Sequence, residues 1–349
     1  MRKPRLCAAV STALSLLFLL PLLSGCGAER RYSREFYGLF DTVITVTAAD
    51  ASPASFDRRC GALYEELSAY HRLTDAYHTY DGVVNLKTLN DTAAAGPVEV
   101  DERLFGLLSF GKEAYRLTEG RVNICMGSVL ALWHEKREEG LADPASASLP
   151  EEPALKEAAR HISPDALVLD ETAKTVFYAD ALLKVDLGAV AKGYAADAAA
   201  AFAKENGWSS AVLSLGGNVI AWGAPPGGGL WRVGVENPDP AADQLLETLS
   251  LTDRTVVTSG DYQRYYTVNG KNYCHIIDPD SLYPPAYCRA VTVVDKSSAR
   301  ADALSTALFL LPVEAGEELL SRIEDAEALW VLPDGGVRAT AGMEPFLGG

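Results

Sequence analysis

Hydrophobic and polar positions change rhythm along this chain, and each rhythm predicts an element. Residues 40–47 (FDTVITVT) alternate and are rich in β-branched side chains, which predicts a strand. Across residues 55–73 the apolar positions include Phe56, Leu63 and Leu67, as in a helix with one buried face. Residues 100–118 repeat the pattern with Leu104, Leu107, Leu108 and Ala114. The Pro-, Ala- and Ser-rich stretch 142–153 reads as a surface loop. From residue 166 strands dominate: ALVLD, KTVFYA, LLKVDLG, AVLSLGG, WRVGVE, LETLSLT, TVVTSG, YYTVNGKNYCHII and AVTVVD. Asn269-Gly270 tolerates the positive φ angles of a type I′ hairpin turn. Helices are expected at 191–206, where alanines allow close packing, and at 301–311. Strands in runs with helices inserted predict an α+β fold, with a mixed or antiparallel sheet core flanked by helices.

The N-terminus changes the picture of where this domain resides. Arg2, Lys3 and Arg5 precede an apolar run over residues 6–23, interrupted by Pro21, and Leu23-Ser24-Gly25-Cys26 follows. A short basic stretch, an apolar segment and small residues before a cut form a secretory signal. The last four residues resemble a bacterial lipobox, in which Cys26 is lipidated; an uncleaved signal anchor is the alternative. Either reading exports the body and tethers it to a membrane. The expected organisation is signal at 1–25, tether at 26–36 and a single domain at 37–349.

The formal charge is −16, and without Arg2, Lys3 and Arg5 it is −19. That balance opposes nucleic-acid binding, so a polyanionic ligand needs a local cation or metal ion. Cys60, Cys125, Cys274 and Cys288 show no zinc-site spacing, and a disulfide among them stays open.

Four segments carry candidate chemistry. In KVDLGAVAKGYAAD (184–197) a strand ending at Asp186 turns through Gly188 into a helix bearing Lys192. N–H groups at a helix start attract anions, and Lys192 strengthens such a site, although Asp186 serves equally as a cap. The paired glycines of SLGGN (214–218) permit close backbone approach to a ligand, or simply a tight turn. TSGDY (258–262) places hydroxyls and Asp261 at a strand end, and its hairpin returns to His275 in CHIIDP. A lone histidine on a strand is also a common core residue. In ADALSTAL (301–308), Asp302 and Thr306 are four apart and share a helical face, offering hard oxygens to Mg²⁺.

These four segments, in this order, resemble the ApbE family of FAD:protein FMN transferases. Weaker matches lie upstream in FDTVITV, HTYDGVVNLKTLN and TEGRVNICMGSVLALW. The resemblance implies FAD contacts at Phe40, Tyr80, Arg121, Val122, Asn123, Asp186, Lys192 and Ile277. It also implies Mg²⁺ on Asp302, Ser305, Thr306 and the carbonyl of Ala189. Three departures stand out: Phe40-Asp41-Thr42 where Met-Gly-Thr is frequent, Asn123 for the usual Asp, and Leu282 where glycine is expected. The last implies a different turn.

The implied reaction transfers FMN from FAD to a Ser/Thr hydroxyl of an acceptor flavoprotein and releases AMP, with His275 or Asp261 as candidate base. Two other readings share the site: an FAD diphosphatase using water, and a non-catalytic flavin-binding lipoprotein.

Overall fold

An eight-stranded sheet is laid down in strict chain order: β1 (Arg30–Leu39), β2 (Thr42–Asp50), β3 (Ala211–Leu215), β4 (Asn218–Trp222), β5 (Arg254–Gly260), β6 (Ala290–Asp295), β7 (Glu327–Val331) and β8 (Val337–Ala339). Every neighbouring pair is antiparallel. The computed structural model describes residues 30–348 apart from Gln244, so the signal over 1–25 and Cys26 lie outside the described residues.

Between β2 and β3 the chain inserts α1 (Pro53–Thr74), α2 (Glu102–Leu117), α3 (Gly127–Ala142) and α4 (Ala191–Glu205), and α5 (Ser298–Phe309) follows β6. Ser52 starts α1 by accepting from Ser55 N, with Pro53 in the first turn where its missing N–H costs nothing. Phe56, Leu63 and Leu67 of α1 are buried beside Ala195, Ala199 and Trp208. Burying a side chain of that size stabilises by roughly 1.5–3 kcal/mol.

Both faces of the sheet are covered, which explains why β6 is buried at every position. Val291 and Val293 pack with Leu304 and Leu308 of α5, while Ala290 and Val294 pack with Trp231 and Leu249 on the other face. Trp231 and Leu249 belong to an antiparallel hairpin, Trp231–Glu236 with Leu245–Leu251. A second hairpin, Tyr265–Val268 with Lys271–Cys274, turns through Asn269 and Gly270, both at positive φ as expected.

The register sets the site. Ile44 pairs with Leu215, Leu215 with Asn218, and Asn218 with Val257. The turns at 40–41 and 216–217 and the end of β5 therefore share one end of the sheet.

Three expectations need correction. Residues 30–36, expected as tether, lie in β1, an edge strand with only Phe36 and Leu39 buried, so its polarity masked the pattern. LLKVDLG forms no strand, although Leu183, Val185 and Leu187 are buried in alternation. Its backbone is held by the Asn90 side chain, which bonds Val185 N and O, and by the Ile124 carbonyl, which accepts from Asp186 N. Leu282 takes the left-handed conformation (φ 64°) that glycine serves, so that turn keeps a glycine-like backbone with leucine in place. Burial of the Leu282 side chain beside Trp133 and Tyr266 offsets the strain.

A candidate flavin-nucleotide site at one end of the sheet

Two contiguous chambers open at that end, of about 440 and about 570 Å³. The first is aromatic, with Phe40, Tyr77, Tyr80, Trp133 and Tyr273 in its walls. The second is lined by Arg121, Val122, Asn123, Ala189, Ile277, Asp302 and Thr306. Asp41, Asp186, Lys192, Arg264 and His275 line both and form the neck. The eight expected FAD contacts, separated by up to 237 residues in the chain, thus share one cavity.

Asp75 organises the loop in the first chamber. Burial works against its charge, but hydrogen bonds from Tyr77 N (2.7 Å), the Tyr80 hydroxyl (2.7 Å) and His78 N (3.0 Å) hold its carboxyl below the usual range. Burial and that same carboxylate push the Tyr80 phenol up to about 12, so Tyr80 remains a donor at neutral pH. In the second chamber, Asn123 accepts from Cys125 N and donates to the Ile162 carbonyl, both at 2.9 Å. An aspartate could not make that donation, which gives the amide here a structural role. Arg121 is paired with Asp280 at 2.7 Å.

The neck is built where α4 meets α5. The backbone N–H of Gly193 donates to Asp302 Oδ2 at 2.8 Å. A helix-start N–H expected to receive a ligand anion is therefore engaged by a carboxylate of the protein. Lys192 donates to Asn218 Oδ1 at 2.8 Å and lies 3.9 Å from Asp302 Oδ1. Burial pushes the Asp186 carboxyl above its ordinary range, against one hydrogen bond from Gly188 N (2.8 Å).

His275 follows the strand Lys271–Cys274, and its backbone N–H donates to the Arg264 carbonyl at 3.0 Å. Nδ1 lies 3.2 Å from the same carbonyl, which can only accept. That contact places the proton on Nδ1 and leaves Nε2 as an acceptor. His275 is exposed on the cavity surface. Desolvation within the cavity first, and then Arg264, Lys192 and Arg137, bring its pKa down to about 4. His275 is thus a neutral imidazole through most of the physiological range.

Two expected residues stand elsewhere. Asp261 lines neither chamber; its carboxylate is 3.4 Å from Arg289 Nε, and burial pushes its pKa up. The candidate base Asp261 thus lies outside the lining of both chambers. Ser305 is fully buried, its hydroxyl donating to the Asp302 carbonyl (3.0 Å) and lying 2.9 Å from Ser259 Oγ. It braces the helix from behind, while Asp302 and Thr306 present their shared face to the cavity. Arg264 and Asp41 were not anticipated as site residues. No hydrogen bond or ion pair joins the Arg264 guanidinium to another described residue. Its only sequence signal was its place at the end of TSGDYQR.

Two chambers, one of them aromatic, thus meet at a neck where Lys192 and Arg264 stand beside the carboxylates of Asp41 and Asp186. Residues 40–330 match the ApbE family, and the chain belongs to that family. An FAD:protein FMN transferase of Klebsiella pneumoniae (strain 342) is 34% identical over 244 residues, covering 70% of this chain and 73% of that one. One of Treponema pallidum (strain Nichols) is 34% identical over 272 residues, covering 74% and 73%. The crystal structure of the ApbE protein of Thermotoga maritima has a TM-score of 0.80 at 26% identity, covering 92% of this chain and 100% of that one. The apo flavinyl transferase ApbE of Pseudomonas stutzeri gives 0.76 at 26%, covering 92% and 98%.

Proposed function

We propose that this chain transfers FMN from FAD to a Ser or Thr hydroxyl of an acceptor flavoprotein and releases AMP. The observation that carries this reading is the neck, where Lys192, Arg264 and His275 converge between two chambers with Asp302 beside them in the second. FAD has two ring systems joined by a pyrophosphate, so a pair of chambers joined at a neck that carries Lys192 and Arg264 suits it. Lys192 and Arg264 balance the phosphate charge, and Arg264 brings a guanidinium with no competing partner among the described residues. Phosphoryl transfer depends chiefly on such positioning and electrostatics.

His275 receives the proton. The acceptor oxygen forms a bond to the phosphorus nearer riboflavin, the bond to the AMP oxygen breaks, and the hydroxyl proton passes to Nε2. The Arg264 carbonyl holds the ring in the required tautomer. Bound phosphates favour the imidazolium, so the substrate itself raises the basicity of a histidine that is weakly basic in the free protein.

The donor set fits Mg²⁺. Asp302 is buried (4% exposed) with Oδ2 engaged by Gly193, while Thr306 and Ala189 line the same chamber. One carboxylate, a hydroxyl and a carbonyl are hard oxygens that leave other positions to phosphate and water. Bound there, Mg²⁺ would neutralise phosphate charge and polarise the reacting phosphorus.

For location, we propose export and anchoring through a lipid on Cys26, which would confine the enzyme to the same membrane surface as its acceptor and raise their effective concentration.

The test is incubation of the full-length chain with FAD, Mg²⁺ and an acceptor domain, following acceptor mass and AMP release. Gain of one FMN with AMP released, lost in Asp302→Ala, is the expected result. AMP and free FMN without labelling would make it a diphosphatase. Absence of any turnover would leave a flavin-binding lipoprotein.

A further inference from the structure

A second carboxylate ties α4 to α5 in the opposite sense from Asp302. Asp197, on α4, accepts from Ser298 N (2.8 Å), Ala299 N (3.0 Å) and Ser297 Oγ (2.8 Å) at the start of α5. Asp302, on α5, accepts from Gly193 N at the start of α4 (2.8 Å). Asp197 lies four residues beyond Gly193, and Asp302 four beyond Ser298. The two links are therefore about one helical turn apart along each helix. Each helix captures N-terminal N–H groups of the other, with a negative charge where the helix dipole favours it.

The start of α5 does not depend on Asp197, because Ser297 already accepts from Arg300 N as its cap. Nor do the helices approach by default. A Cβ on Gly193 would stand 2.3 Å from the Ser298 carbonyl oxygen and 2.6 Å from Asp302 Cβ. Contact this close needs glycine on one side and bonds on the other. What Asp197 adds is the position of the first turn of α5 against α4, one turn from Asp302. With Oδ2 held by Gly193, the Asp302 carboxylate has one rotation, and Oδ1 is left as its remaining acceptor.

We infer that Asp197 is a positioning residue whose grip on the start of α5 orients the Asp302 carboxylate for the divalent cation. The inference rests on the metal reading of Asp302. Loss of Asp197 would let the α5 N-terminus move, lengthen the Gly193–Asp302 bond and free the carboxylate to turn. Partners that orient a metal-binding group in this way typically contribute about 10–100-fold in affinity.

The test uses the full-length chain with FAD present and no acceptor, titrated with Mn²⁺ as a paramagnetic substitute for Mg²⁺ and read by electron paramagnetic resonance. Wild type should show a site that Asp302→Ala removes. Asp197→Asn should bind Mn²⁺ about tenfold more weakly, with transfer to an added acceptor approaching the wild-type rate at saturating metal. Gly193→Ala, which leaves Asp197 intact but blocks the approach, should shift affinity the same way, so the test does not hang on one variant's folding. Wild-type Mn²⁺ affinity in folded Asp197→Asn, with only the melting temperature lowered, would reduce Asp197 to a structural tie and overturn the inference. No Asp302-dependent site in wild type would overturn the metal reading, and the inference with it.

Discussion

The ammonium of Lys192 faces the carboxylate of Asp302 across 3.9 Å, while a direct hydrogen bond of 2.8 Å ties it to Asn218. The cation is thus held between β4 and α5 without being consumed by a close ion pair, and its charge remains available to a phosphate. Lys192→Met should lower kcat/KM for FAD by about 10²-fold, the cost of removing one preorganised charge donor. Steady-state kinetics at saturating Mg²⁺ would check it, and an unchanged kcat/KM would remove Lys192 from the phosphate site.

His275 makes a prediction about pH. Its pKa is depressed to about 4 in the free protein, so it is neutral above that value and lost as a base only as pH falls through it. The acid limb of kcat/KM, which reports the free enzyme, should therefore lie near 4 and not near 6.5. The limb of kcat should lie higher, because bound phosphates favour the protonated ring. Coincident limbs near 6.5 would contradict the environment described.

Arg264 couples to both quantities. Arg264→Gln removes a phosphate partner and one of the charges that depress His275, while the backbone carbonyl that fixes the tautomer stays. The expected outcome is a KM for FAD raised about tenfold, the loss of roughly 1.4 kcal/mol of a charge-assisted contact. The kcat/KM acid limb should move upward from 4. A change in KM with no movement of the limb would separate the two roles.

Outside the lining of the cavity, Leu67 of α1 is fully buried against the sheet. Leu67→Ala should cost about 2–5 kcal/mol of stability. Denaturant unfolding would read this, while turnover per folded molecule should stay at the wild-type value.

Cys26→Ser tests the proposed anchor. Fractionation of cells producing the variant should move the chain from membrane to soluble fraction or leave the signal uncleaved. Unaltered, lipid-labelled membrane attachment would exclude Cys26 as the modified residue.

Much of the fold was legible because its elements repeat at clear periods. Helix α1 shows its buried stripe, β6 is a short valine-rich run and Asn269-Gly270 marks its hairpin, and each formed as expected. Helix α3 gave no such signal, since Val129, Leu130, Leu132 and Trp133 crowd its first half, the remainder is polar, and no side chain caps its start. Strand β1 was hidden by the polarity of a sheet edge. Within the site, Asp302 and Thr306 were legible from four-residue spacing, whereas Ser305 between them was placed by motif alone and turned inward.

By itself the chain's order of residues determined the helical face of Asp302 and Thr306, the helix that carries Lys192 and the hairpin that returns to His275. Those are local matters, set by backbone periodicity and turn chemistry over a few residues. Tertiary structure decided that Asp261 faces Arg289 and not the cavity, that Arg264 reaches the neck with no ion-pair partner among the described residues, and that a helix-start N–H of α4 holds Asp302 in place of a ligand. Each of these depends on which strands pair in which register and how closely two helices cross. Contacts between residues tens to hundreds of positions apart carry no period that a linear pattern can show.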